Sequence, residues 1–270
     1  MSQYSKVKPK KALGQHFLTD MRVAERIAST LLPDNRRDLW SLPVLEVGPG
    51  TGVLTQFLLE QKRPLKVVEL DRESVDYLHT HYPSLDVIDG DFLKMPLDDL
   101  FEGDFALIGN YPYNISTQIF FRLLDYKERI PICSGMLQRE VAQRICASPG
   151  GKDRGILSVL LQAWYDCEYL FTVDENVFNP PPKVKSGVLR LIRNNVTNLG
   201  CDEVLFKRVV KTSFGTRRKT LRNSIASITG KESEILSAEI MRMRPEQLSV
   251  AQFVELTNMV ASALEARKQS

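Results

Sequence analysis

Over the first two thirds of the chain, short apolar runs alternate with stretches in which apolar residues recur every three or four positions. Val44–Val47, Leu65–Glu69, Leu85–Ile88, Phe105–Ile108 and Ile130–Leu137 read as strands bounded by turn residues. Helical spacing runs from Asp20 to Leu32 through Val23, Ile27, Ala28 and Leu31, with Thr19 or Asp20 as the cap and Pro33 as the stop. Further helices are predicted from Val53 to about Gln61, over Glu73–Thr80, over Ser116–Leu124 with Ser116 as the cap, over Arg139–Cys146 and over Gly155–Trp164. Cys167–Val173 and Gly187–Ile192 close the series as two strands, separated by Asn179-Pro180-Pro181-Pro182, whose prolines forbid a helix and stiffen the loop. Strand and helix in alternation predict an α/β fold with a parallel sheet covered on both faces and ligands beyond the carboxyl ends of its strands.

After Arg193 the pattern changes. Asn194, Asn195, Asn198 and Gly200 mark a linker, and Glu203–Phe214, Arg217–Ile228 and Val250–Ala266 read as helices. The expected division is a catalytic domain over 1–196, its first 18 residues a basic covering segment, and a small all-helical domain over 197–270.

Composition narrows the class. Hydrophobic residues make up 43% and charged residues 26% of the 270 residues, an ordinary globular balance. No run approaches the ~20 apolar residues of a membrane span, and the lysine-rich start lacks the apolar core of a secretory signal. The four cysteines, Cys133, Cys146, Cys167 and Cys201, are isolated from one another. Their spacing predicts no disulfide framework and no metal site, and a cytoplasmic location. Net charge is only +3, but the bases cluster: Lys6, Lys8, Lys10 and Lys11 at the start, and Lys207, Arg208, Lys211, Arg217, Arg218, Lys219 and Arg222 late, with no acid among the last set. Two basic patches on a nearly neutral chain suggest a polyanionic partner; solvated faces are the bland alternative.

Glu46-Val47-Gly48-Pro49-Gly50-Thr51-Gly52 joins the first strand to its helix, where glycines let backbone approach a ligand closely. Glu69 ends the second strand, about 20 residues on, the spacing of a carboxylate that binds ribose hydroxyls. Asp91 follows the third strand, placed to accept from an adenine amino group, with Phe92 against the ring. Helix capping by Glu69 and Asp91 is the alternative. Two cofactors fit an adenosine held this way, NAD and S-adenosylmethionine. The third glycine falls one residue short of GxGxxG, and Glu46 suits the ammonium of a methionine better than a pyrophosphate.

Asn110-Tyr111-Pro112-Tyr113 follows the fourth strand. An Asn side-chain oxygen and the carbonyl before or at a proline can both accept from one amino group, while the tyrosine stacks on the plane that carries it. Such a group receives the exocyclic amine of a nucleobase, or an amide.

These residues resemble a known family. Gly14-Gln15-His16-Phe17-Leu18, the Glu46–Gly52 loop, Glu69-Leu70-Asp71, Gly90-Asp91, Asn110–Ser116, Phe178–Val184 and Phe214–Thr220 are similar to the ribosomal RNA adenine dimethyltransferases, in the family's order and over nearly the whole chain. The resemblance implies a Rossmann-like class I methyltransferase sheet. It implies transfer of methyl groups from S-adenosylmethionine to N6 of two adjacent adenosines near the 3′ end of small-subunit RNA, with a role in late subunit assembly. Gln15, His16, Leu18, Glu46, Gly48, Gly50, Glu69, Leu70, Asp91, Phe92 and Asn110 would line the cofactor site. Asn110, Pro112 and Tyr113 would serve catalysis, with Tyr113 and Phe178 stacking on the base; a packed strand-end tyrosine and a core plug beneath the prolines are the alternatives. Lys211, Arg217, Arg218, Lys219 and Arg222 would contact RNA phosphates. The implied partner is the small ribosomal subunit or its assembly particle, bound by a monomer without metal or membrane.

Two positions depart from the family pattern. His16 stands where asparagine is usual, and imidazole can still donate to a carboxylate. Tyr111 stands where leucine is usual, at a position not expected to touch the amine. Competing readings are a DNA or protein-amide methyltransferase, a non-enzymatic assembly factor and an NAD oxidoreductase. The last lacks an evident hydride-transfer set.

Overall fold

The computed structural model describes residues 7–216 and 219–269. Their contacts form two compact units, residues 1–142 with 166–193 and residues 143–165 with 194–270.

The first unit is built on a seven-stranded sheet. A 3-10 turn, Lys11–Leu13, leads into the short strand β1 (Phe17–Leu18) and helix α1 (Met21–Ser29). Asp20 caps α1, its carboxylate accepting from the Arg22 and Val23 N–H groups. There follow β2 (Val44–Val47), α2 (Thr55–Glu60), β3 (Leu65–Glu69), α3 (Arg72–His81), β4 (Asp86–Asp89), β5 (Ala106–Asn110), α4 (Ser116–Asp125), β6 (Ile132–Gln138) and α5 (Arg139–Ile145). After α6 (Ile156–Gln162) come β7 (Tyr165–Val173), β8 (Phe178–Asn179) and β9 (Ser186–Arg193).

The strand order is β4-β3-β2-β5-β6-β9-β7. β4, β3, β2, β5 and β6 are parallel, whereas β9 runs antiparallel to β6, so the sheet is mixed rather than wholly parallel. The parallel centre is covered on both faces: every residue of β2 is buried, as is β5 up to Asn110, which is why both read as nearly unbroken apolar runs. The chain winds outward from β2 to β4 and then returns to β5 on the other side of β2, so a crevice opens beyond the carboxyl ends of these strands.

One local expectation fails and one pairing goes unforeseen, each for an identifiable reason. Ser116 does not cap α4: Ile115 occupies the cap, the Ile115 N–H donates to the Pro112 carbonyl at 3.2 Å, and the Ser116 hydroxyl donates to the Tyr113 carbonyl at 3.2 Å. Backbone turns after the proline thus replace the cap. The pairing of β1 with β8, Phe17 opposite Asn179 and Leu18 opposite Phe178, joins residues some 160 apart and carries no local periodicity.

The second unit holds α6, α7 (Glu203–Gly215), α8 (Leu221–Thr229) and α9 (Val250–Gln269), with 3-10 turns between α8 and α9. Its core includes Phe206, Val210, Phe214, Leu221, Ile225, Leu256 and Phe253, the Phe214 and Phe253 rings stacking at 6.0 Å. Residues 143–165, read from sequence as part of the sheet domain, pack in this unit. Arg154 shows why. It is fully buried, and its guanidinium donates to the Leu248 carbonyl at 3.2 Å, the Ala147 carbonyl at 2.6 Å and Gln162 Oε1 at 2.7 Å. A guanidinium so placed ties its segment to the C-terminal chain. Among the described residues no helix is long and apolar enough to cross a membrane.

Candidate active site

The crevice of the first unit is walled by the loops that leave β2, β3, β4 and β5, with the strap Leu13–Leu18 along one side. Gln15, His16, Leu18, Glu46, Gly48, Gly50, Glu69, Leu70, Asp91, Phe92, Asn110, Pro112 and Tyr113 all line this one cavity.

The glycine turn is shaped by backbone that only glycine adopts readily. Gly48 and Gly50 have φ of 67° and 57°, and a Cβ on Gly50 would stand 2.9 Å from the Phe17 ring. Phe17, which sequence reading does not single out, thereby packs on the turn. The Gly50 N–H donates to Glu69 Oε2 at 3.0 Å, while the Leu70 and Asp71 N–H groups donate to Oε1 at 2.9 Å each. Three backbone donors orient this buried carboxylate, and its remaining lone pairs suit a diol. Burial raises its pKa despite those donors.

Glu46 is 1% exposed and accepts from Thr55 Oγ1 at 2.7 Å. Burial pushes its carboxyl up to about 8, reinforced by the charge of Glu69. Among the described residues no basic side chain pairs with it. Two neighbouring buried acids repel a diphosphate and favour a ligand that brings a cation and hydroxyl donors. Asp91 Oδ1 accepts from the Leu93 N–H at 3.0 Å and Oδ2 pairs with Lys94 at 3.2 Å, so this side chain also turns its own loop.

The strap is fastened at several points. The Lys10 ammonium bonds Asp71 and lies 3.1 Å from Glu73, and Gln15 Nε2 donates to Asp71 Oδ2 at 3.3 Å. Burial pushes the Asp71 carboxyl up, but bonds from Lys10, Gln15 and Ser74 outweigh it and hold the group below the usual carboxylate range. Among the described residues the ring of His16 meets no carboxylate: Nδ1 lies 2.8 Å from the Pro180 carbonyl. A carbonyl only accepts, so Nδ1 carries the proton. The backbone carbonyl of His16 accepts from Asn110 Nδ2 at 3.1 Å. No sequence signal announces these pairings, because they join segments remote along the chain.

Tyr113 hydrogen-bonds Ser186 through its hydroxyl at 2.5 Å, and its ring lies 5.5 Å from that of His16, tilted 32°. Ser186 is fully buried and opposes Gln138 in the sheet; it is a site residue that sequence reading misses. Phe178, expected to close over a base, is instead 4% exposed and sits in the core with Leu18, Ala24 and Ile27, outside the cavity lining. Its pairing opposite Leu18 draws it inward. In the second unit Lys211, Lys219 and Arg222 are exposed, whereas Arg217 and Arg218 lie outside the described residues.

The family model for ribosomal RNA adenine dimethylase matches residues 6–262. Relatives named ribosomal RNA small subunit methyltransferase A include one from Parabacteroides distasonis, 64% identical over 261 residues covering 96% of each chain. Another, from Phocaeicola vulgatus, is 61% identical over 264 residues, covering 96% of this chain and 92% of its own. Among solved structures, a dimethyladenosine transferase from Plasmodium falciparum superposes with a TM-score of 0.74 at 21% identity, over 92% of this chain and 98% of that one. The 23S rRNA methyltransferase ErmE gives 0.60 at 25% identity, over 91% and 99%.

Proposed function

Because the chain belongs to the ribosomal RNA adenine dimethylase family and is therefore a methyltransferase, we propose that it dimethylates N6 of two adjacent adenosines near the 3′ end of small-subunit RNA, using S-adenosylmethionine. The observation that carries this reading is the commitment of Asn110 Nδ2 to the His16 carbonyl, which leaves Oδ1 for an incoming amine.

Glu46, Glu69, Asp91 and Phe92 line the one cavity; Glu46 would hold the ammonium of the cofactor, Glu69 its ribose hydroxyls, and Asp91 with Phe92 its adenine. When bound, the cofactor supplies an electrophilic methyl group. Adenine N6 is a poor nucleophile because its lone pair is delocalised into the ring. Asn110 Oδ1 and the carbonyl before or at Pro112 would accept from its two hydrogens, which favours a pyramidal nitrogen with a localised lone pair. No strong base is needed, since the methylated nitrogen is acidic and loses its proton to water. Tyr113 stacks on the base, held by Ser186. In the second transfer N6 has one hydrogen, so one acceptor suffices. The exposed bases Lys211, Lys219 and Arg222, with Arg217 and Arg218, supply phosphate contacts to a small-subunit particle.

The test is labelled methyl transfer offered in parallel to undermethylated small-subunit particles, duplex DNA and protein. Label confined to N6-dimethyladenosine of the particle RNA supports the reading; label in DNA or protein amide overturns it.

A further inference from the structure

Tyr111 is the residue of the Asn110–Tyr113 stretch whose side chain has no part in the proposed contacts, yet it is the most thoroughly enclosed, at 1% exposure. Its N–H donates to the Met136 carbonyl at 2.9 Å and its hydroxyl to the Ser134 carbonyl at 2.8 Å. Between these bonds its ring lies over Gly109 and Gly135, which face each other across β5 and β6. A Cβ on Gly109 would stand 2.8 Å from the ring, and one on Gly135 only 2.5 Å. Phe120 of α4 packs edge-on at 5.8 Å.

We propose that Tyr111 is a positioning residue for the methyl acceptor, its side chain bolting the backbone of residues 110–112 to β6 and so fixing Asn110 Oδ1 and the carbonyls before and at Pro112. This rests on the acceptor role of Asn110 given above. The groups that meet the amine lie on the clamped residue or directly beside it in the chain. A shift of residue 111 moves them all. Leucine at this position would fill less of the space over the paired glycines and make no bond to Ser134. The anchor carbonyl is itself well held, since Ser134 Oγ donates to the Leu189 carbonyl at 2.8 Å and lies 2.6 Å from Thr30 Oγ1. Misplacement of reacting groups on the scale of an ångström costs catalysis far more than it costs ligand binding.

The test compares Tyr111→Phe, Tyr111→Leu and Asn110→Ala with the parent enzyme. Three quantities are read: the single-turnover rate at saturating cofactor and particle, the affinity for S-adenosylhomocysteine, and the melting midpoint. Tyr111→Phe should lose about tenfold in rate and Tyr111→Leu more, with S-adenosylhomocysteine affinity within about twofold. Parental rates in both variants overturn the inference, as do rate and cofactor affinity falling together. Failure of both variants to fold also overturns it, since Tyr111 would then be a folding residue. If Asn110→Ala keeps the parental rate, the site reading fails first. If Asn110→Ala is inactive while both Tyr111 variants keep the parental rate, only the positioning role is lost.

Discussion

The side-chain amide of Asn110 donates through Nδ2 to the backbone carbonyl of His16 at 3.1 Å, joining the end of β5 to the strap. This bond decides which end of the amide faces an amine. It also makes Asn110→Asp a sharper test than Asn110→Ala. Aspartate keeps an acceptor oxygen, but its second oxygen would face the His16 carbonyl and repel it. Both variants are expected to lose at least about a hundredfold in transfer rate. Asn110→Asp should in addition free the strap, read as faster amide exchange over residues 13–18 than in Asn110→Ala. Equal exchange in the two variants would remove the ordering role of this bond.

Glu46 predicts proton-linked cofactor binding. Its carboxyl is raised to about 8 by burial and by the neighbouring Glu69. The folded, cofactor-free protein therefore holds a proton there that the unfolded chain has lost above the ordinary carboxylate range. The associated stability is complete below that range and disappears as pH rises through about 8. Pairing with an ammonium requires the ionised form, so binding at neutral pH expels the proton. Affinity should tighten by up to about tenfold per pH unit between about pH 6 and 8, beyond any trend shown by Glu46→Gln. Titration calorimetry in two buffers of different ionisation enthalpy should find about one proton released by the parent and none of it in Glu46→Gln. Equal release by both proteins would place the linkage elsewhere.

The Ser186 hydroxyl and that of Tyr113 share a hydrogen bond of 2.5 Å. Ser186→Ala keeps the buried volume nearly unchanged but unpins the phenol. Tyr113 is then free to turn, and transfer efficiency to particles is expected to fall about tenfold through weaker stacking of the base. Cofactor affinity should stay within twofold, because Ser186 is not among the residues lining that cavity. Loss of cofactor affinity in Ser186→Ala would show that the serine supports the site more broadly.

What can be read from the residues divides along physical lines. β2, β3 and β5 are short apolar runs ended by Gly, Asp or Pro, so the strands and the loops beyond them are legible, and with them Glu46, Glu69, Asp91 and Asn110. The place of Phe178 is not, because it depends on pairing opposite Leu18, which no local pattern encodes. Ser186 and Phe17 stay hidden for the same reason: a lone serine opening a strand and a phenylalanine in a short strap acquire meaning only from partners brought in by the fold. Tyr111 reads in sequence as the least consequential residue of its motif, since a departure from a family pattern says nothing of the paired glycines beneath the ring.

The late basic cluster yields a prediction that is independent of the catalytic crevice. Lys219 and Arg222 are exposed around the start of α8, within the second unit. If they touch RNA phosphates, their energy comes from counterion release, which is uniform across sequences and steep in salt. Lys219→Glu with Arg222→Glu should weaken binding to small-subunit particles. The slope of log affinity against log salt should become shallower by roughly one for each phosphate that is no longer neutralised. The same double variant should bind S-adenosylhomocysteine as the parent does and keep its melting midpoint, because neither side chain is buried. Adding Arg217→Glu and Arg218→Glu should extend the trend in slope rather than saturate it. An unchanged slope across the series at physiological salt would remove this surface from the recognition of RNA and leave the crevice to account for it alone.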